Sequence, residues 1–224
     1  MSVELVVVPS AEEAAREAAE LLARAAAAGA AIALSGGSTP RRAFELTAQI
    51  QPNWSRASIW WGDERCVPPD DPRSNYLMAN EALIARLARP PEIHRIPGEL
   101  GPDAAADEYD TALADVALDL VLLGLGPDGH TASLFPNAPT LEERSRRAVA
   151  AEAGLEPFVP RVTLTIPELA SATEVLFLVA GTDKADAVKR AFASPPTPDT
   201  PASLVRSAAG ATVAVLDSAA AAQL

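Results

Sequence analysis

The chain has 224 residues, of which 49% are hydrophobic and 4% aromatic, and its formal net charge is -12. This length and hydrophobic content are enough for one sizeable α/β domain, which we expect to span residues 1–224. The negative charge argues against a nucleic-acid or membrane-surface partner, because both carry dense negative charge of their own.

The chain has few residues that could bind a transition metal or form a disulfide. It contains one cysteine, Cys66, and two histidines, His94 and His130. A lone cysteine cannot form an internal disulfide, and this set does not favour a structural zinc site. The start, MSVELVVVPS, shows no cationic leader, and the longest apolar stretch, residues 25–34, is about half of what spans a bilayer. We therefore expect a cytoplasmic protein without a metal. We also expect a monomer or a weak homodimer.

Short apolar runs alternate with helical segments along the chain. The runs predict buried strands at residues 3–8, 30–34, 57–61, 118–123, 175–180 and 211–216. Their hydrophobicity is continuous, as in parallel strands that are covered on both faces. Helices are predicted at residues 10–28, with Ser10 as N-cap, and at 40–48, 74–87, 103–114 and 183–193. The alternation predicts a doubly wound α/β fold with a mainly parallel sheet flanked by helices.

Two segments lack helical or strand periodicity. Residues 194–201, SPPTPDTP, predict a surface loop between the last long helix and the final strand, because prolines exclude a central strand or helix. Residues 141–160 mix charges with glycine and proline, and their pattern is compatible with a loop, an edge strand or a lid.

A polar signature follows each of four predicted strands. The signatures are SGGSTP at residues 35–40, GDER at 62–65, GLGPDGHT at 124–131 and GTDK at 181–184. Ligands of open α/β sheets bind beyond the carboxyl ends of the strands. If the sheet is parallel, we expect all four signatures to converge on one edge.

The SGGSTP segment has the features of an anion-binding loop. Gly36 and Gly37 allow backbone amides to approach a phosphate, Ser38 and Thr39 add hydroxyl donors, and Pro40 suits the first turn of a helix. An ordinary strand-to-helix turn with a Ser or Thr cap is the alternative. The segment matches neither GxxxxGK[ST] nor GxGxxG, which disfavours ATP and NAD.

The GLGPDGH segment contains the histidine best suited to act as a general base. Asp128 and Gly129 lead directly into His130, and a nearby carboxylate can orient an imidazole or raise its basicity. A turn histidine that caps the next segment is the alternative. We expect His94, which lies in PEIHRIP without a glycine loop, to be structural.

Three cations could meet an anionic ligand or a carbonyl oxygen. Arg65 follows Asp63 and Glu64, which could position it, although mixed charges after a strand can also be a solvated turn. Lys184 lies in the first turn of a predicted helix, where a cation opposes the helix dipole unless an anion binds there. Arg161, in PRVTLT, is a further donor or a surface ion pair.

Taken together, the motifs resemble the 6-phosphogluconolactonase family. They are LSGGSTP, WWGDERCVPPDDPRSNY, DLVLLGLGPDGHTASLFP, PRVTLT and GTDKADAVK, in matching order over nearly the whole chain. The resemblance implies a cytosolic pentose phosphate pathway enzyme that needs no cofactor and hydrolyses a phosphosugar lactone. It implies that His130 is the general base, Asp128 orients it, and Arg65 lies near the oxyanion.

The resemblance also implies a set of residues that bind the substrate or its phosphate: Gly36, Gly37, Ser38, Thr39, Asp63, Arg161 and Lys184. It leaves open how Arg161 and Lys184 divide phosphate binding and catalysis.

Two other functions are compatible with parts of the sequence. A sugar-phosphate isomerase or deaminase of the same fold would resemble DGHxAFNEP, whereas this chain reads DGHTASLFP, with no acid between His130 and Pro136. A non-catalytic sugar-phosphate sensor would need a DNA-binding module. The N-terminal segment leads straight into strand and helix, and an acidic chain is a poor DNA ligand.

Overall fold

The computed structural model describes residues 3–224, in which strands and helices alternate. The strands are β1 (Glu4–Val8), β2 (Ala31–Leu34), β3 (Ser58–Trp61), β4 (Asp63–Arg65), β5 (Glu92–Ile93), β6 (Leu120–Leu123), β7 (Ala148–Ala151), β8 (Arg161–Leu164), β9 (Glu174–Val179) and β10 (Ala211–Asp217). The α-helices are α1 (Ala11–Ala28), α2 (Ser38–Ile50), α3 (Asn75–Ala82), α4 (Pro102–Ala112), α5 (Ile166–Ser171) and α6 (Ala185–Phe192).

A seven-stranded parallel sheet forms the centre of the fold, in the order β1-β10-β9-β6-β2-β3-β5. Every strand predicted from the apolar runs belongs to it, within one or two residues at each end, and helices flank it. The short edge strand β5 was not predicted, because two exposed residues give no hydrophobic signal. The doubly wound, mainly parallel α/β prediction is confirmed.

Helix α1 shows how the sequence sets the helix boundaries. The Ser10 hydroxyl accepts a hydrogen bond from Glu13 N at 3.2 Å, which confirms Ser10 as the N-cap. Gly29 ends the helix in the left-handed region, with φ 87°. The buried face consists mainly of alanines, and it packs on α2 and β10.

A second, antiparallel sheet of order β4-β8-β7 lies beside the first, and it corrects the prediction for the GDER segment while deciding between the alternatives left open for residues 141–160. The GDER segment, predicted as a loop, forms β4. Residues 141–160, for which loop, edge strand and lid were the alternatives, contain the edge strand β7. Strand β4 is polar in sequence but buried at Asp63 and Glu64, which hydrogen-bond to neighbouring side chains and backbone amides. Hydrophobic patterning cannot reveal a strand of this kind.

Gly62 joins the two sheets without an intervening loop. Its N–H donates to Leu34 O at 2.8 Å in the large sheet, and its carbonyl accepts from Leu164 N at 2.8 Å in the small sheet. The chain therefore passes from β3 to β4 through one residue.

The helix predictions differ from the structure mainly at the ends. The predicted helix at 74–87 stops at Ala82, and a 3-10 turn, Ile84–Arg86, follows it. The predicted helix at 183–193 begins as a 3-10 turn, Thr182–Lys184, before α6. Helix α5 was not predicted, because six residues are too few to show a helical periodicity.

Within residues 3–224, no helix combines the length and the apolar character that a membrane crossing requires.

Candidate active site

A cavity of about 250 Å³ opens at the carboxyl ends of the parallel strands. Its walls come from the segments after β2, β3, β6 and β9, so the four polar signatures converge as predicted. The predicted site residues that line it are Gly36, Gly37, Ser38, Thr39, Asp63, Arg65, His130, Arg161 and Lys184. Asp128 stands behind His130 and does not form part of the wall.

The SGGST segment presents the start of α2 to this cavity. Gly37 precedes the helix with φ 108°, a conformation that favours glycine. Within the described residues no side chain caps this helix, and its first turn contains no acid. Gly36 is required for a different reason: a Cβ there would lie 2.0 Å from Asn75 Oδ1. Uncapped amides and the positive end of the helix dipole are the features with which helix N-termini can bind anions.

His130 and Asp128 form a close pair. The distance from His130 Nδ1 to Asp128 Oδ1 is 2.6 Å, and His130 N also donates to Asp128 Oδ1 at 3.1 Å. An ionised carboxylate can only accept, so Nδ1 carries a proton in this pair, and in the neutral ring Nε2 is then the nitrogen with a lone pair. Gly126 leaves room for the imidazole, because a Cβ there would lie 2.0 Å from Nδ1. Phe135 packs on the ring, with centroids 4.9 Å apart.

Asp128 is ionised in this pair. Partial burial opposes its ionisation, yet the hydrogen bond and the charge interaction with His130, together with backbone donors, outweigh this effect and hold the pKa of Asp128 below its ordinary value. The arrangement can therefore fix one tautomer of the imidazole and stabilise the imidazolium that forms on proton uptake.

Asp63 also lines the cavity, and two neighbouring side chains hold it. Ser133 Oγ donates to Asp63 Oδ2 at 2.6 Å, and Asn75 Nδ2 donates to Asp63 Oδ1 at 3.2 Å and to Asp63 O at 2.9 Å. Sequence reasoning assigned no role to Asn75, which lines the cavity, or to Ser133. Both lie within the segments that carry the family resemblance, which is the one signal that pointed to them.

Glu64 does not face the cavity, although it stands between Asp63 and Arg65. Its carboxylate accepts hydrogen bonds at the start of α3, from Ser74 Oγ at 2.9 Å and from the amides of Asn75 and Tyr76 at 2.7 Å each. Burial raises its pKa, against the lowering effect of these donors. Glu64 is thus a structural acid that holds α3 against β4.

The three cations reach the cavity from different elements. Arg65 Nη1 donates to Arg73 O at 2.5 Å. Arg161 is 4% exposed, donates from Nη2 to two backbone carbonyls at 3.0 and 3.1 Å, and has a pKa lowered by burial. The Nε atoms of both arginines are buried without a hydrogen-bond partner among the described residues. Lys184 Nζ lies 3.4 Å from Asp183.

His94 lies outside the cavity. Its ring stacks on Trp60, with centroids 4.0 Å apart and planes 8° from parallel, and its Nε2 lies 3.2 Å from Glu92. The structural role expected for His94 agrees with this packing. Within residues 3–224 no three His, Cys, Asp or Glu side chains cluster closely enough to hold a metal.

Comparison with known proteins gives relatives over most of the chain. The family described as glucosamine-6-phosphate isomerases/6-phosphogluconolactonase matches residues 8–214. A 6-phosphogluconolactonase of Nostoc sp. is 42% identical over 173 residues, covering 72% of this chain and 71% of the relative. One of Streptomyces coelicolor is 38% identical over 188 residues, covering 77% and 72%.

The three-dimensional fold agrees with the sequence comparison. The structure of 6-phosphogluconolactonase from Trypanosoma cruzi superimposes with a TM-score of 0.89 at 29% identity, covering 100% of this chain and 98% of that one. The family match over residues 8–214, together with relatives of up to 42% identity and the shared fold, shows that this chain belongs to the glucosamine-6-phosphate isomerase/6-phosphogluconolactonase family.

Proposed function

We propose that this chain hydrolyses 6-phospho-D-glucono-1,5-lactone to 6-phosphogluconate, a step of the oxidative pentose phosphate pathway. The observation that carries the proposal is the place of His130, at the wall of the cavity, with Nδ1 held by Asp128 and no hydrogen bond to Nε2 from residues 3–224. A lactonase needs this arrangement, since water must lose a proton as it attacks the carbonyl carbon. Relatives with 36–42% identity carry the name 6-phosphogluconolactonase.

In the proposed reaction, His130 Nε2 takes a proton from water while the water oxygen bonds to C1 of the lactone. The carbonyl oxygen becomes negative, and Arg65 stabilises this charge. The bond between C1 and the ring oxygen then breaks, and the imidazolium returns its proton to that ring oxygen. The products are a carboxylic acid and a hydroxyl group, and the acid ionises. No covalent enzyme intermediate is needed.

The phosphate end of the substrate binds to the SGGST loop in this proposal. The backbone amides at Gly37 and Ser38 and the hydroxyls of Ser38 and Thr39 donate to the phosphate oxygens, and the positive end of α2 favours the dianion. Arg161 and Lys184 add charge at the same cavity. Asp63, fixed by Ser133 and Asn75, accepts a hydrogen bond from a sugar hydroxyl.

Sugar isomerisation or deamination on the same fold is not favoured. Proton transfer between neighbouring sugar carbons calls for a further carboxylate, and the stretch from His130 to Pro136 supplies none. A non-catalytic sensor is equally disfavoured, since the residues of a base and its orienting acid are both in place.

The remaining expectations belong to the same proposal. We infer a cytoplasmic enzyme that works without a cofactor or metal and has no nucleic-acid or membrane partner. We further infer a monomer or a weak homodimer. A gel-shift assay tests the nucleic-acid expectation, and sedimentation velocity tests the oligomeric state.

The deciding experiment follows acid release from freshly made 6-phosphogluconolactone, with the enzyme-free rate subtracted. This subtraction matters because the lactone also hydrolyses spontaneously. We expect a rate above the enzyme-free one that scales with protein concentration. No acceleration of lactone hydrolysis, together with ammonia release from glucosamine 6-phosphate, would overturn the proposal in favour of the deaminase.

A further inference from the structure

The turn between β6 and the candidate base is held from outside the cavity. The carbonyls of three consecutive residues, Pro127, Asp128 and Gly129, all accept hydrogen bonds. Arg190 of α6 donates from Nη2 to Pro127 O at 3.0 Å and from Nη1 to Asp128 O at 3.2 Å. The N–H of Ala202 donates to Gly129 O at 3.0 Å. These bonds fix the peptide planes on both sides of the Asp128 Cα.

The proline-rich segment, residues 194–201, supports the same turn. Thr200 is fully buried, and its Oγ1 accepts from Arg190 Nη1 at 2.8 Å. Further along the loop that follows the histidine, Asn137 Nδ2 donates to Asp199 Oδ1 at 2.8 Å. Segment 194–201, predicted as a surface loop, therefore contacts the loop that carries His130 at two places. One contact runs through Arg190 to the turn before His130, and the other joins Asp199 to Asn137 after it.

Gly129 shows how closely the turn before His130 approaches Arg190 and Thr200. Its φ is 97°, and a Cβ at this position would lie 2.9 Å from Arg190 Nη1 and 3.0 Å from Thr200 Cγ2. Only a glycine allows the turn to lie directly against the guanidinium. Arg190 in turn is held by Asp186 at 2.8 Å on its own helix.

We propose that Arg190, together with the proline-rich segment 194–201, positions the pair of Asp128 and His130 for proton transfer. Arg190 does not line the cavity, so it is a positioning residue that acts through the turn. This inference rests on the proposed function of His130 as general base. The planar guanidinium binds two carbonyls at once, a geometry that a lysine ammonium cannot reproduce.

The positioning is needed because Asp128 and His130 sit on a short glycine-rich turn. Two glycines, Gly126 and Gly129, flank Asp128 and leave its backbone many conformations in isolation. The distance of 2.6 Å between the two side chains depends on the peptide planes that Arg190 holds. When the turn moves, the carboxylate no longer selects one tautomer of His130.

The first test measures the tautomer of His130 directly. Long-range 15N–1H spectra of the imidazole rings report which nitrogen carries the proton, and the chain has only two histidines to assign. We expect Nδ1–H in the parent protein and a mixture of both tautomers in Arg190→Gln. His94, stacked on Trp60, should keep its signals and so exclude general unfolding.

The second test is kinetic. We expect Arg190→Gln to lower kcat by about 10-fold to about 100-fold, the loss typical of a misplaced reacting group, with KM little changed. Arg190→Lys should not restore the rate, because charge alone does not span two carbonyls. Thr200→Val should lower kcat by a smaller factor, since it removes one hydrogen-bond partner of Arg190 without changing the charge.

Arg144→Gln is the matched control variant. Arg144 also donates from its guanidinium to two backbone carbonyls, but these are the carbonyls of Leu141 and Glu143 and not those of the turn. It should keep the parental kcat and the parental tautomer.

Two results would overturn the positioning role. One is an Arg190→Gln protein whose His130 tautomer or kcat equals that of the parent, and the other is full recovery by Arg190→Lys. A parent protein without lactonase activity would instead defeat the proposed function, while the tautomer comparison would still test the positioning.

Discussion

At the scale of single residues, the proposed chemistry depends on His130, whose Nδ1 lies 2.6 Å from Asp128 Oδ1. His130→Asn keeps a polar side chain in the turn and removes the titratable base. We expect kcat to fall by about 10² to 10⁴, the usual contribution of a general base, while KM stays near the parental value. Initial rates of acid release, corrected for spontaneous hydrolysis, measure both constants.

Asp128→Asn is the companion variant. It should lower kcat less than His130→Asn does, because the orientation of the imidazole is lost but the base remains. If His130→Asn kept more than about a third of the parental kcat, His130 would not be the general base. Asp63, which lines the same cavity, would be the next residue to test.

Sequence reasoning predicted cavity residues that carry a local signature, and it missed residues that contact them from far along the chain. His130 and Asp128 lie together in a glycine-rich turn, and the SGGST loop contains two glycines. Asn75 and Ser133 contact Asp63 from 12 and 70 positions away along the chain, so no local pattern could point to them.

At the scale of elements, the phosphate proposal depends on the 3-10 turn before α6. Lys184 lies in this turn and lines the cavity, with Asp183 as its nearest acid at 3.4 Å. Removing one charge-assisted hydrogen bond costs about 1.5 to 3 kcal/mol, so we expect Lys184→Ala to raise KM by roughly 10-fold or more.

The control for this variant uses a substrate without the phosphate. Lys184→Ala and the parent should differ little on unphosphorylated gluconolactone, since the missing contact is to the phosphate. Equal KM values of the parent for both lactones would show that the phosphate is not the main anchor.

The parallel sheet could be predicted because its strands are apolar runs between turn signals. The small sheet could not, because β4 is built from Asp63, Glu64 and Arg65, whose burial depends on partners elsewhere. Strand β7 is only Ala148–Ala151, a neutral stretch inside a charged segment. Its place is set by pairing with β8, which no local pattern encodes.

At the scale of the whole molecule, both sheets share one hydrophobic core. The core contains Leu22 of α1 and Leu122 of the large sheet together with Ala148 and Val162 of the small sheet. We therefore expect one cooperative unfolding transition in urea, with coincident curves from far-UV circular dichroism and tryptophan fluorescence. Two separated transitions would mean that the small sheet folds as a unit of its own.

Metal dependence is a further property of the whole protein. Because no suitable ligand cluster occurs within residues 3–224, we expect full activity after exhaustive treatment with EDTA. The measurement is the corrected rate of lactone hydrolysis before and after chelation. A loss of activity that one particular divalent metal restores would contradict this expectation.

The joint at Gly62 constrains the length of the chain as well as its composition. Along β4, Asp63 and Arg65 line the cavity while Glu64 turns away to α3, because neighbouring residues of a strand face opposite sides. One residue inserted between Trp61 and Asp63 would reverse this alternation and turn Glu64, which now binds the start of α3, toward the cavity. We therefore expect insertions and deletions at this joint to disrupt the cavity, even where the surrounding residues can be exchanged.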